Sequence, residues 1–171
     1  MTETVIVPVD AVLASAEQAG FLAKVPPIAL FGILAHAPEI AGKIAALGAA
    51  VVDEERGLPA PLRELVAIRV GRLCGSLYVE GQHRRLAVRV GITADKIEAA
   101  AEGGDSDCLT ADERRALRIV QSAVQGMAAA RSDLVEERDR TGARGVMQLL
   151  MTAGYFSMLS AICASLALRV D

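Results

Sequence analysis

The stretch "LPAPLRELVAIRVGRLCGSLYVEGQHRRLAVRVG", residues 58–91, decides how the chain is read. Two apolar-periodic runs flank the short break Cys74-Gly75-Ser76. Pro59 and Pro61 stand where a helix is entered, and Gly91 where one is closed. The first run predicts a helix from Pro59 to Leu73, the second a helix from Tyr78 to Val90. The same stretch gathers Glu64, Cys74, Tyr78, Glu80 and His83, in a chain with only two histidines. So many proton-active groups in an otherwise Ala/Leu/Val-rich segment pose a question of chemistry.

Working outward, nearly every other segment reads as helix. Apolar residues recur at helical spacing, and no Asn-Gly or Asp-Gly pair marks a β-hairpin. A helix is expected from Pro38 to about Glu55. Thr93 should cap a short helix through "ADKIEAAAEG". Thr110 with Glu113 three residues later forms a capping box for the next. "SDLVEERDR" predicts a short polar helix. From Gly145 to Leu168 no charge occurs in 24 residues, long enough to cross a bilayer. Gln148, Thr152, Ser157, Ser160 and Ser165 interrupt that run, and no aromatic belt or basic cluster flanks it. We read it as a buried or interface helix with no membrane partner. The expectation is a single all-α domain, a helical bundle spanning residues 1–171, with 1–30 as an N-terminal extension.

Composition narrows the function. Apolar residues make up 53% of the 171, aromatics 3%, and tryptophan is absent, which suits close packing of small aliphatic helices. A net charge of −3 gives no basic surface for nucleic acid. Three cysteines, Cys74, Cys108 and Cys163, lack any C-x-x-C spacing, so neither a redox pair nor a zinc site can be written. Reduced thiols and the absence of a basic-then-apolar leader in "MTETVIVPVD" point to the cytoplasm. No metal set or nucleotide fingerprint occurs, and no cofactor is expected.

Helical geometry then sorts the neighbours of His83. At about 100° per residue, Ser76 and Val79 lie on its side of the helix, and Glu80 is near enough to bond a ring nitrogen. If the two helices form a hairpin, Glu64 can face His83. A carboxylate beside an imidazole fixes its tautomer and supports acid–base work. The alternative is Glu64 paired with an arginine and His83 as an ordinary surface residue.

The run "LPAPLRELVAIRVGRL…YVEGQH…VRVGITADKIEA" resembles the carboxymuconolactone decarboxylase / alkylhydroperoxidase D family. That family shows an L-P-x-R-x-R-E-L helix, a Y-E-W-x-x-H helix and an a-G-l-s-x-e-x-I segment. "AHAPEIAGKIAALGAAV" and "LLMTAGYFSMLSAICASLAL" resemble its flanking helices, so the likeness runs over residues 33–170. It implies a soluble homo-oligomer (dimer, trimer or hexamer) joined through apolar helices. It also implies a Glu64/His83 site without cofactor, acting on a small lactone, carbonyl or carboxylic acid. Ser76, Tyr78, Val79, Glu80, His36 and Arg63 would line the site, with Arg63 or Arg84 holding a substrate carboxylate.

Peroxidase members resemble one another in C-x-x-C-x-x-x-H with an upstream glutamate. Laid on this chain, the glutamate and histidine fall on Glu64 and His83, the cysteines on Ser76 and Val79. A valine cannot form a disulfide, so a dithiol peroxidase cycle is the lesser reading and would have to run through Cys74. A non-catalytic oligomeric ligand-binding protein is the third.

Overall fold

The computed structural model describes residues 4–170; the first three residues of the N-terminal reading above lie outside it. Eight helices and no strand occur among the described residues: α1 (Ala16–Leu22), α2 (Ala29–Leu34), α3 (Pro38–Val51), α4 (Ala60–Leu73), α5 (Leu77–Arg89), α6 (Ala94–Glu102), α7 (Ala111–Val124) and α8 (Arg131–Ser165). The first falls within the stretch read as an extension, and the second begins at its end. α3 ends earlier than its apolar pattern suggested. There the Asp53 side chain accepts from the amides of Glu55 and Arg56 and turns the chain out of the helix.

α4 is the central helix. It packs on α5, α6, α7 and α8, and every residue from Arg63 to Gly71 is buried. One apolar cluster joins Val66 and Val70 to Tyr78, Val79, Leu149, Phe156 and Leu159. A second joins Leu65 and Ile68 to Ile97, Ala100 and Leu117 on the opposite side. Burying one large aliphatic side chain contributes about 1.5–3 kcal/mol, so these two faces hold α4 firmly.

The α4–α5 connection fixes the site. Gly75, at φ 67°, ends α4 in the left-handed region. The Ser76 amide then reaches back to the Gly71 carbonyl at 2.8 Å, and the Gly75 amide to that of Arg72 at 3.2 Å. Ser76 immediately caps α5, its hydroxyl accepting from the Val79 amide at 3.2 Å. Cys74 therefore lies on the turn rather than on the helix of His83. Thr110 and Glu113 form the expected capping box of α7. Thr93 precedes α6, but its side chain makes no capping bond.

The polar segment and the uncharged segment at the C-terminus join into one element, α8, broken at Gly142 (φ 72°, ψ 174°). Only glycine takes that conformation readily. α8 is long and apolar enough to span a bilayer, yet it packs on α4, α5 and α7. Its polar residues serve the packing: Gln148 donates to the Arg56 carbonyl, and Ser157 to the Ala153 carbonyl at 2.8 Å.

Candidate active site

Glu64 lies in the first turns of α4 and His83 in the middle of α5, nineteen positions later, and the hairpin brings them together. His83 Nδ1 lies 2.6 Å from Glu64 Oε2. The other carboxylate oxygen accepts from Arg63 Nε at 3.1 Å. Glu64 is only 2% exposed. Burial alone would raise its pKa, but the hydrogen bond and charge of His83, then those of Arg63, offset this and leave it lowered. An ionised carboxylate can only accept, so Nδ1 carries the proton and Nε2 is the nitrogen left to act.

Phe156 of α8 closes the other side of the imidazole. The two rings meet edge to face, with centroids 4.7 Å apart and planes at 74°. Tyr155 leans on Phe156 in turn, at 5.3 Å. The His83 side chain keeps 16% of its surface exposed to solvent. A cleft of about 610 Å³ opens elsewhere, between Asp95 and Cys108, and neither Glu64 nor His83 borders it.

The remaining expectations divide. Glu80, expected to bond the imidazole, instead accepts from Arg84 Nε at 2.9 Å and Arg72 at 3.0 Å. Two full positive charges outcompete one ring nitrogen for that carboxylate. Arg84 also holds Glu98, at 2.6 Å, so it is not free to receive a substrate carboxylate. Arg63 likewise faces Glu64 rather than an open site. Ser76 caps α5 and sits beside the Cys163 thiol instead of bonding His83. The Tyr78 hydroxyl accepts from the Leu30 amide at 3.4 Å, and Val79 is core. His36 is exposed, and its Nε2 donates to the Val7 carbonyl at 2.9 Å, which ties the N-terminal segment to the end of α2.

Two of the thiols, Cys74 and Cys163, are poor nucleophiles where they stand. Burial raises the Cys74 thiol despite its bond to Ser157, and pushes Cys163 up to about 12 despite Ser76. Cys108 is exposed, beside the Ser106 hydroxyl at 3.2 Å. No group of three potential metal ligands occurs among the described residues.

Residues 38–122, which carry both Glu64 and His83, match the model of the carboxymuconolactone decarboxylase family. The chain carries a carboxymuconolactone decarboxylase family domain. Among solved structures, the debrominase Bmp8 is similar over 99% of this chain and 93% of its own, with a TM-score of 0.79 at 16% identity. It has been solved alone and, as a cysteine-to-alanine variant, with 2,3,4-tribromopyrrole. A protein of unknown function from Agrobacterium tumefaciens, provisionally assigned to AhpD-type antioxidant defence, is similar over 81% of this chain and 94% of its own. Its TM-score is 0.71, again at 16% identity. At such identity the likeness establishes the family's helical fold. No curated protein matches the sequence.

Proposed function

We propose that this family member is a cofactor-independent enzyme in which Glu64 and His83 transfer protons on a small lactone, carbonyl or carboxylic acid. The observation that carries the reading is the 2.6 Å contact between Glu64 and His83 Nδ1, with the carboxylate buried and the ring partly exposed. A decarboxylation fits it. Loss of CO₂ from a β-keto acid leaves its bonding electron pair on carbon as an enolate. Protonated His83 gives its Nε2 proton to that carbon, and solvent then reprotonates the ring. Ionised Glu64 stabilises the imidazolium before the transfer and holds the proton on Nδ1 after it. An isomerisation uses the same parts in reverse order: neutral Nε2 takes a proton from carbon and returns it elsewhere.

A dithiol peroxidase cycle has weaker support. Val79 stands where the second cysteine is needed, and burial raises both Cys74 and Cys163. Three free thiols are consistent with a cytoplasmic enzyme.

We place the contact between copies on α8. Met147, Met151, Gly154, Met158, Ala161 and Ser165 are all exposed, and they recur at alternating four- and three-residue steps. That is the period of a helix-pairing seam. The three methionines are 53%, 56% and 37% exposed, on a segment without charge.

The test is a screen of lactones, β-keto acids and halogenated heteroaromatics. CO₂ release, ring opening and halide release are followed separately, for the parent and Glu64→Gln. Turnover of a lactone or keto acid that falls at least a hundredfold in Glu64→Gln supports the reading. Turnover unaffected by that change refutes it.

A further inference from the structure

Glu64 has two neighbours of different character. His83 is a titrating group whose charge comes and goes during proton transfer. Arg63 is a permanent cation, and it was expected to hold substrate. Its side chain is 9% exposed, and it turns back along α4 so that Nε meets Glu64 Oε1 at 3.1 Å. Its far end points to the Val52 carbonyl at the end of α3, 3.5 Å from Nη1. Adjacent residues on a helix do not normally face each other, so this pairing needs the long arginine stem to fold over.

We propose that Arg63 is the positioning residue of this site: its fixed positive charge keeps Glu64 ionised when His83 is neutral, and so holds the imidazole proton on Nδ1. The inference rests on the acid–base reading for its purpose, but not for its test. Burial of a lone carboxylate against a neutral imidazole favours the protonated acid. A protonated Glu64 no longer demands an N–H from the ring, and the tautomer that frees Nε2 loses its anchor. With Arg63 in place the carboxylate stays charged in both states of His83, and the proton that moves is the one on Nε2.

The other charges near the imidazole leave this task to Arg63. On α5 itself, Glu80 is neutralised by Arg72 and Arg84, and Arg84 is shared with Glu98 of α6. From α8 comes only the Phe156 ring, within a segment free of charge from Gly145 to Leu168. From α4, Glu64 and Arg63 meet beside the ring while Arg72 is held by Glu80; Arg85 of α5 is engaged in an interaction of its own. Burial raises the Glu64 pKa; the hydrogen bond and charge of His83 lower it most, and the charge and hydrogen bond of Arg63 lower it further.

The experiment is a titration of the Glu64 side-chain carboxyl by carbon NMR, with the His83 ring nitrogens followed in parallel, in the full chain without ligand. The parent, Arg63→Gln and Arg63→Lys are compared. Glutamine keeps a donor but removes the charge, whereas lysine keeps the charge. The expected result is a parental Glu64 ionised throughout the neutral range. In Arg63→Gln its titration moves to higher pH by at least one unit, and the Nδ1–H tautomer is lost in part. Arg63→Lys restores most of both. A folded Arg63→Gln with an unmoved Glu64 titration overturns the proposal, as does a lysine variant shifted as far as the glutamine one. Should the variants fail to fold, the parent still decides: a Glu64 that takes up a proton once the His83 ring is neutral overturns the proposal, and one that stays ionised beside the neutral ring, with the proton on Nδ1, upholds it. None of these readouts needs a substrate, so failure of the catalytic reading leaves them standing and is told apart from failure of this one.

Discussion

Replacing Gly71 by alanine tests the close approach that brings α4 and α5 together. A Cβ built on Gly71 would lie 2.7 Å from the backbone nitrogen of Glu80 and 3.0 Å from its Cα. Both are main-chain atoms on the first turns of α5, so relief requires the helix itself to move. Overpacking of this kind costs about 1–3 kcal/mol, while alanine gains about 1 kcal/mol over glycine inside a helix. The net expectation for Gly71→Ala is a loss of up to about 2 kcal/mol. At about 2–4 °C per kcal/mol for a chain of this size, Tm should fall by up to about 8 °C.

Gly42, inside α3, provides the control. No atom lies within 4 Å of its added Cβ, so Gly42→Ala should stabilise by up to about 1 kcal/mol. Thermal and denaturant unfolding of the two variants measure the contrast. Because His83 is three residues beyond Glu80, the shift should also loosen its bond to Glu64. That appears as loss of the downfield Nδ1 proton signal in Gly71→Ala alone. A Gly71→Ala protein as stable as Gly42→Ala, with that signal intact, refutes the close-packed hairpin.

Glu64 should also set part of the acid limit of stability. Its folded pKa is lowered, so its contribution is complete above the unfolded carboxylate value and is lost as pH falls through the folded one. Glu64→Gln should therefore lose about 3 kcal/mol near neutral pH and proportionately less in acid, read by denaturant titrations across pH. Thiol labelling under native conditions should give one fast cysteine, Cys108, a slower half-buried Cys74, and a Cys163 that reacts only on unfolding; peroxide should produce no internal disulfide. Met151→Glu, in the middle of the exposed α8 stripe, should lower the mass measured by light scattering without changing helicity. An unchanged mass would move the interface elsewhere.

The all-helical fold was legible because its signals are local. Pro38, Pro59 and Thr110 start helices, while Gly75 and Gly91 stop them, by rules acting within a few residues. Glu64 and His83 were legible as a pair because two helices joined by a three-residue turn leave few ways to pack. What stayed hidden is tertiary. Phe156 of α8 reaches His83 from 73 positions along the chain, and nothing in "GYFSM" says which side chain turns inward. The assignment of Glu80 failed because spacing alone names neighbours without ranking them. Arg84 is four positions on and Arg72 arrives from α4, and both hold a carboxylate more strongly than an imidazole does. His36 is drawn away by a main-chain carbonyl of the N-terminal segment, a contact with no sequence signature.

The most direct test of the account is the turnover of His83→Ala against the parent on the best lactone or keto acid substrate, at matched folding by circular dichroism. The account predicts a loss of about 10²–10⁴-fold in kcat, the usual worth of a positioned acid–base group. Turnover at the parental rate would contradict it and leave Glu64 and His83 as a buried structural pair.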